Sequence, residues 1–171
     1  DRCPRPVGPR APHGPPVSLR PPEPTVRDVG EFGLIAAITE GLGPTASVPV
    51  SVGDDCAVLA PTGRLAVSTD AMIEDVHFKR VWSSAHDVGR KAVASAMADV
   101  EAMGARPLGL VVSASLPKDL PASWARELTA GIRAEAELCG AQLVGGDITS
   151  GDKIGIVCTV FGDLEGRTPT L

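Results

Sequence analysis

Proline decides first which part of this chain can fold. Pro4, Pro6, Pro9, Pro12, Pro15, Pro16, Pro21, Pro22 and Pro24 are nine of its 16 prolines, all within the first 25 residues. Each removes an amide donor and fixes φ, so neither a helix nor a central strand can run through this stretch. Residues 1–27 are therefore expected to form a disordered or polyproline-like tail, with the folded domain spanning 28–171. The tail lacks the apolar centre of a secretory signal.

Charge divides the chain at the same place. Residues 1–27 carry five Arg against Asp1 and Glu23, a net of +3, and residues 28–171 carry 11 Lys/Arg against 19 Asp/Glu, a net of −8. An acidic body disfavours nucleic acid as a partner, because phosphate backbones are held by clustered Lys and Arg. It is compatible with carboxylates that hold divalent cations, although charge alone favours a plain acidic surface. No apolar run approaches the ~20 residues of a spanning helix, so a membrane protein is not expected. Cys3, Cys56, Cys139 and Cys158 form no C-x-x-C pair. They read as buried thiols of a reducing cytoplasm.

Past the tail, apolar periodicity predicts a helix over 31–42, with Phe32, Ile35, Ile38 and Leu42 on one face and Gly43-Pro44 as its stop. Short strands are predicted at 48–52, 57–60 and 65–68, then a helix over 86–103 with Gly104 as its stop, and a strand over 108–116. Trp124, Leu128, Ile132 and Ala136 step by four along a helix over 122–139, bounded by Pro121 and Gly140. Strands at 141–144 and 153–161 follow. The order implies an α+β fold, an α/β sandwich in which a mixed or antiparallel sheet carries its helices on one face.

Several side chains in this frame carry chemistry. Ala92, Ala96, Asp99 and Met103 share a helix face. Asp99 then either looks inward, where a charge needs a cation or a donor cluster, or sits in water near Arg90 or Arg106. Asp54-Asp55 follow Gly53 on a turn. Turns favour Asp for its bonds to nearby amides, but adjacent carboxylates repel unless a cation lies between them. Asp70 follows Ser68-Thr69 at a strand end, and the three supply oxygens suited to magnesium. His77 lies in a short mixed segment, EDVHF. Gly145-Gly146-Asp147 follows the strand QLV, where glycine can let a ligand approach the backbone. The same tripeptide is also an ordinary turn. There is no G-x-x-x-x-G-K, no G-x-G-x-x-G and no convincing Ser-His-Asp set.

Taken in order, GEFGLI (30–35), VGDDCAVL (52–59), STDAMIEDVHF (68–78), ADVEAMGARP (98–107) and QLVGGDITSG (142–151) resemble the thiamine-monophosphate kinase family. That family lies in the superfamily that includes aminoimidazole ribonucleotide synthetase. The resemblance implies that the γ-phosphoryl group of ATP passes directly to thiamine monophosphate, giving thiamine diphosphate. It places magnesium ligands at Asp55, Ser68, Thr69, Asp70, Asp99 and Asp147, a substrate contact at His77, and ATP contacts at Gly146 and Asp147. No catalytic side chain is implied, since metal ions and positioning suffice. Ala96 stands where the family usually has Asn. The family also has a second domain of similar size and dimerises through the first, so the 171 residues are expected to be the N-terminal half of a homodimeric cytoplasmic enzyme. Two other readings are a hydrogenase-maturation ATP-dependent carbamoyl dehydratase-like protein and a non-catalytic dimerisation module.

Overall fold

The computed structural model describes residues 22–53 and 56–170. Its elements are α1 (Val26–Thr39), β1 (Leu65–Ile73), α2 (Ala85–Ala102), β2 (Arg106–Leu116), α3 (Ala122–Leu138), β3 (Gln142–Ser150) and β4 (Gly155–Asp163). The four strands form one sheet in the order β1-β4-β2-β3. β4 runs antiparallel to both β1 and β2, while β2 and β3 are parallel and joined through α3. This is the expected α+β arrangement.

Helix α2 packs on β1, β4 and β2, and α3 packs against α2 and β3. The core between helices and sheet includes Met97, Leu110, Leu116, Ile156 and Val160, all at most 2% exposed. Along β1 the side chains alternate. Ala66, Ser68, Asp70 and Met72 turn towards the helices, while Leu65, Val67, Thr69 and Ile73 are exposed on the other face. That outer face is partly apolar: Val67 is 58% exposed, and Leu65, Ile73 and Val157 accompany it.

The two long helices follow their capping residues. Ser84 accepts the Asp87 N–H at 3.1 Å to open α2, and Gly104, at φ +75°, closes it. Pro121 precedes α3, and Gly140, at φ +74°, ends it. The helices meet at two glycines. A Cβ on Gly89 would lie 2.9 Å from the Ile132 backbone nitrogen, and one on Gly131 would lie 2.8 Å from the His86 carbonyl carbon. Only glycine permits this backbone approach.

The first helix departs from expectation. It begins at Val26, five residues before the predicted start, because the Asp28 carboxylate accepts from both the Thr25 N–H and hydroxyl at 2.8 Å. The same bonds, led by the Thr25 backbone donor, hold the Asp28 carboxyl below its usual range. Val26 is buried, and its N–H donates to the Leu120 carbonyl at 2.8 Å, tying the segment to the start of α3. Residues 22–27 thus belong to the fold rather than to the proline-rich tail, while 1–21 lie outside the described residues. Gly30, at φ +71°, kinks α1, and Gly41 ends it before Gly43-Pro44. Among the described residues, segments 48–52 and 57–60 meet at an isolated bridge, Val50–Val58, rather than in a strand pair.

Candidate functional site

β1 runs on to Ile73, so Asp70 lies inside a strand rather than at its end. Its neighbour across β4 is Cys158, and Ser68 sits opposite Val160. Ser68 and Asp70 share the helix-side face, where the Ser68 hydroxyl donates to Asp99 Oδ2 at 2.7 Å. Asp99 is exposed, although Ala92 and Ala96 on its face are buried. Its carboxylate stays near water at the rim of the α2–β1 contact, and neither Arg90 nor Arg106 pairs with it: Arg90 bonds Glu135 and Arg106 bonds Glu165. Asp70 accepts the Ala71 N–H at 2.8 Å. Burial, and then the charge of Asp70, pushes the Cys158 thiol up to about 12, so it is inert at neutral pH. Cys158 is the buried thiol of the expected set; Cys56 is exposed, Cys139 is half-buried with its thiol raised by burial, and Cys3 is outside the described residues.

Thr69 points the other way. Strand alternation puts it on the outer face, hydroxyl to hydroxyl with Thr159 at 3.0 Å. It cannot share an ion with Ser68 and Asp70 through its side chain in this conformation. Gly145, Gly146 and Asp147 lie within β3, not on a turn. The reason is local: after a register shift between Leu110 and Val111, β2 comes so close that a Cβ on Gly146 would lie 3.1 Å from the Val112 carbonyl carbon. Gly146 therefore serves strand pairing. Asp70, Cys158, Val112 and Gly146 form one row across the sheet. Gly146 is thus three strand spacings from Asp70, about 14 Å.

Asp147, exposed beside Gly146, borders a cavity of about 620 Å³. Ile35 and Ile38 of α1, Leu128 and Ile132 of α3 and Leu143 of β3 contribute its apolar wall. His77 is exposed in the turn after β1, and its Nδ1 accepts the Ile73 N–H at 3.0 Å. Sequence reasoning missed what holds this turn. Glu74, only 8% exposed, pairs with Arg80 at 2.6 Å, and Lys91 Nζ donates to the His77 carbonyl at 2.8 Å. The signal was the alternation itself, since Glu74 continues the inward phase of Ser68, Asp70 and Met72.

The structure bonds Ser68 to Asp99 and sets Asp70 on the same face of β1 as Ser68, while Thr69 faces the other way and His77 and the Gly146–Asp147 pair lie on other segments. Asp55 lies outside the described residues. Among the described residues, no three His, Cys, Asp or Glu side chains converge as a metal-ligand group. Two carboxylates and a hydroxyl on one face, with no salt bridge to Lys or Arg among the described residues, suit a hard cation that keeps several waters. Of the described members of the predicted set, the Thr69 side chain and Asp147 stand apart from the Ser68–Asp99 pair.

Residues 53–164 match the model of the family AIR synthase related protein, N-terminal domain. The chain is 43% identical over 155 residues to the thiamine-monophosphate kinase of Mycobacterium tuberculosis, covering 90% of this chain and 46% of that protein. Among solved structures it is similar to AaThiL complexed with AMPPCP and TMP, with a TM-score of 0.57 and 33% identity over 85% of this chain and 44% of that one. It is also similar to the hydrogenase maturation protein HypE in complex with ATP, with a TM-score of 0.56 and 29% identity over 65% of this chain and 33% of that one. The chain spans about half the length of the curated relatives it matches.

Proposed function

Because the chain belongs to the AIR synthase related family through that N-terminal domain, we propose that it is the N-terminal half of a thiamine-monophosphate kinase. The reaction is transfer of the ATP γ-phosphoryl group to thiamine monophosphate. The observation that carries this is the Ser68–Asp99 bond, which joins the STD strand to the ADVEAMG helix beside Asp70. It leaves the Asp99 carboxylate exposed and free of Lys or Arg pairing among the described residues.

In this reading Ser68, Asp70 and Asp99 hold one magnesium locus and Asp147 a second, with Thr69 and Asp55 contributing to the wider set. Magnesium held by these residues would supply neutralisation of the phosphate charge. The chain's own residues do the positioning. Asp147 and the backbone at Gly146 meet ATP at one side of the sheet, and His77 meets the acceptor substrate at the other. No protein nucleophile or general base is needed, because a phosphate acceptor is already anionic. The two loci stand apart, which suits two extended phosphorylated substrates rather than one compact ligand.

The exposed face of the sheet, with Val67, Leu65, Ile73 and Val157, is the surface through which a homodimer forms in this reading. No helix among the described residues is long and apolar enough to cross a membrane. In this reading the enzyme is cytoplasmic and engages neither membrane nor nucleic acid; the acidic body supports the last of these. The similarity to HypE with ATP supports a second reading, ATP-dependent carbamoyl dehydration, but the 43% identity favours the kinase.

Calorimetry on the chain tests the proposal. AMPPCP should bind only with magnesium, and thiamine monophosphate should bind its complex. Asp99→Asn should weaken magnesium-dependent AMPPCP binding at least ~10-fold with an unchanged melting temperature. Undiminished binding by Asp99→Asn would refute the metal assignment. Nucleotide binding indifferent to thiamine monophosphate would favour the dehydratase reading, and no nucleotide binding would leave a dimerisation module.

A further inference from the structure

The turn that carries His77 is held more firmly than an exposed turn requires. Glu74 and Arg80 stand at its two ends, and their 2.6 Å ion pair closes it. Glu74 is also fixed below, where its N–H donates to the Ile154 carbonyl at 2.9 Å. Asp75 takes φ +68°, an uncommon conformation for a residue other than glycine, and pairs with Lys153 at 3.0 Å. Phe78 is buried, and its carbonyl accepts the Asp75 N–H at 2.8 Å. From the helix side, Lys91 Nζ holds the His77 carbonyl.

The ring of His77 is fixed as well. An imidazole nitrogen that accepts an amide hydrogen cannot itself carry one, so the Ile73 N–H selects the tautomer with the proton on Nε2. Nε2–H is then a hydrogen-bond donor on an exposed side chain. Lys79, Arg80, Lys91 and Lys153 lie on or against this turn; Arg80 pairs with Glu74 and Lys153 with Asp75, while Lys91 bonds the His77 carbonyl and Lys79 stacks over Trp82.

We infer that Glu74 and Arg80 are positioning residues that hold His77 as a single-tautomer donor for an anionic phosphate oxygen of the substrate. The identity of that substrate rests on the kinase reading above; the positioning does not.

Long-range proton–nitrogen NMR on the ¹⁵N-labelled chain separates the two. In the wild type, His77 shows one tautomer, with Nδ1 as the unprotonated nitrogen. In Arg80→Ala and in Glu74→Gln the ring averages between tautomers, and the Ile73 amide exchanges with solvent at least about tenfold faster. The Arg80 side chain is 47% exposed, so its alanine variant removes little packing, and Glu74→Gln breaks the pair without the unpaired buried carboxylate that Arg80→Ala leaves. A wild-type ring that averages between tautomers, or a lock that survives in Arg80→Ala, overturns the inference. Thiamine monophosphate with magnesium and AMPPCP should shift the Nε2 signal, while unphosphorylated thiamine should not. Equal shifts from both compounds overturn the phosphate assignment. A locked ring that responds to neither refutes the kinase reading and leaves the positioning of His77 standing.

Discussion

Replacing Gly131 by alanine should destabilise the protein, the reverse of the usual effect of that change in a helix. Alanine is favoured over glycine in a helix interior by about 1 kcal/mol. Here the added methyl carbon would overlap the His86 carbonyl oxygen and lie 2.8 Å from its carbon and 3.0 Å from its Cα. Non-bonded carbons settle at about 3.5–4.0 Å. Helices α2 and α3 must therefore part by roughly 1 Å. The obstacle is backbone, so no rotamer change relieves it. Overpacking of this kind costs about 1–3 kcal/mol, and a rigid obstacle puts the cost at the upper end. Net of propensity, the loss is about 2 kcal/mol. For a domain of this size that lowers the melting temperature by about 4–8 °C. Differential scanning calorimetry reads the shift directly. Gly33→Ala in α1 is the control, because its Cβ meets only the Val29 Cγ1 methyl at 2.9 Å, which can turn away. It should be neutral or slightly stabilising. Gly89→Ala combined with Gly131→Ala should cost less than the sum, since one separation of the helices relieves both overlaps. A Gly131→Ala protein as stable as the wild type would refute the close backbone contact.

Two further outcomes are expected. Asp163 is buried and accepts from the N–H groups of Glu165, Thr62 and Gly63 and from the Thr62 hydroxyl, at 2.7–2.9 Å. Led by the Glu165 amide, these bonds hold its carboxyl down to about 2 against the opposing effect of burial. A depressed carboxyl stabilises the fold above its unfolded value of 3.8 and loses that contribution as pH falls towards 2. The urea midpoint should therefore drop between about pH 4 and pH 2, and Asp163→Asn should lower it at neutral pH and flatten that dependence; an unchanged acid limb would count against the clamp. On the outer face of the sheet, where we propose the homodimer forms, the wild type should sediment as a dimer and Val67→Asp as a monomer, with little change in melting temperature. A Val67→Asp protein that stays dimeric would place the interface elsewhere.

The two long helices were legible because apolar steps of three and four run up to terminators: Gly104 stops one, and Pro121 and Gly140 bound the other, while the Ser84 cap emerged only from the structure. Strand limits were less legible. β3 continues through two glycines and an aspartate that read locally as a turn, since only the approach of β2 reveals why glycine is tolerated there. β1 continues through Asp70 because its polar side chain stays at the rim, half in water. The pairing of Ser68 with Asp99 was beyond local reading, for it depends on how α2 lies across the sheet. That Ser68 and Thr69 face opposite ways was readable from strand alternation alone, and it divides the predicted ligand set. The start of α1 was hidden by prolines at 21–24 that suggest a tail up to the residue where Thr25 caps the helix.

The narrow spacing of β2 and β3 changes how a familiar experiment should be interpreted. Gly146 belongs to a motif that invites alanine scanning for nucleotide contacts, yet a methyl group there drives into the Val112 backbone. Loss of activity in such a variant is confounded, because a warped sheet and a missing contact give the same readout. The unconfounded probe is one residue earlier: a Cβ on Gly145 meets nothing nearer than the Val111 Cγ1 at 3.6 Å, an ordinary contact. Gly145→Ala thus alters the rim of the 620 Å³ cavity while leaving the sheet untouched.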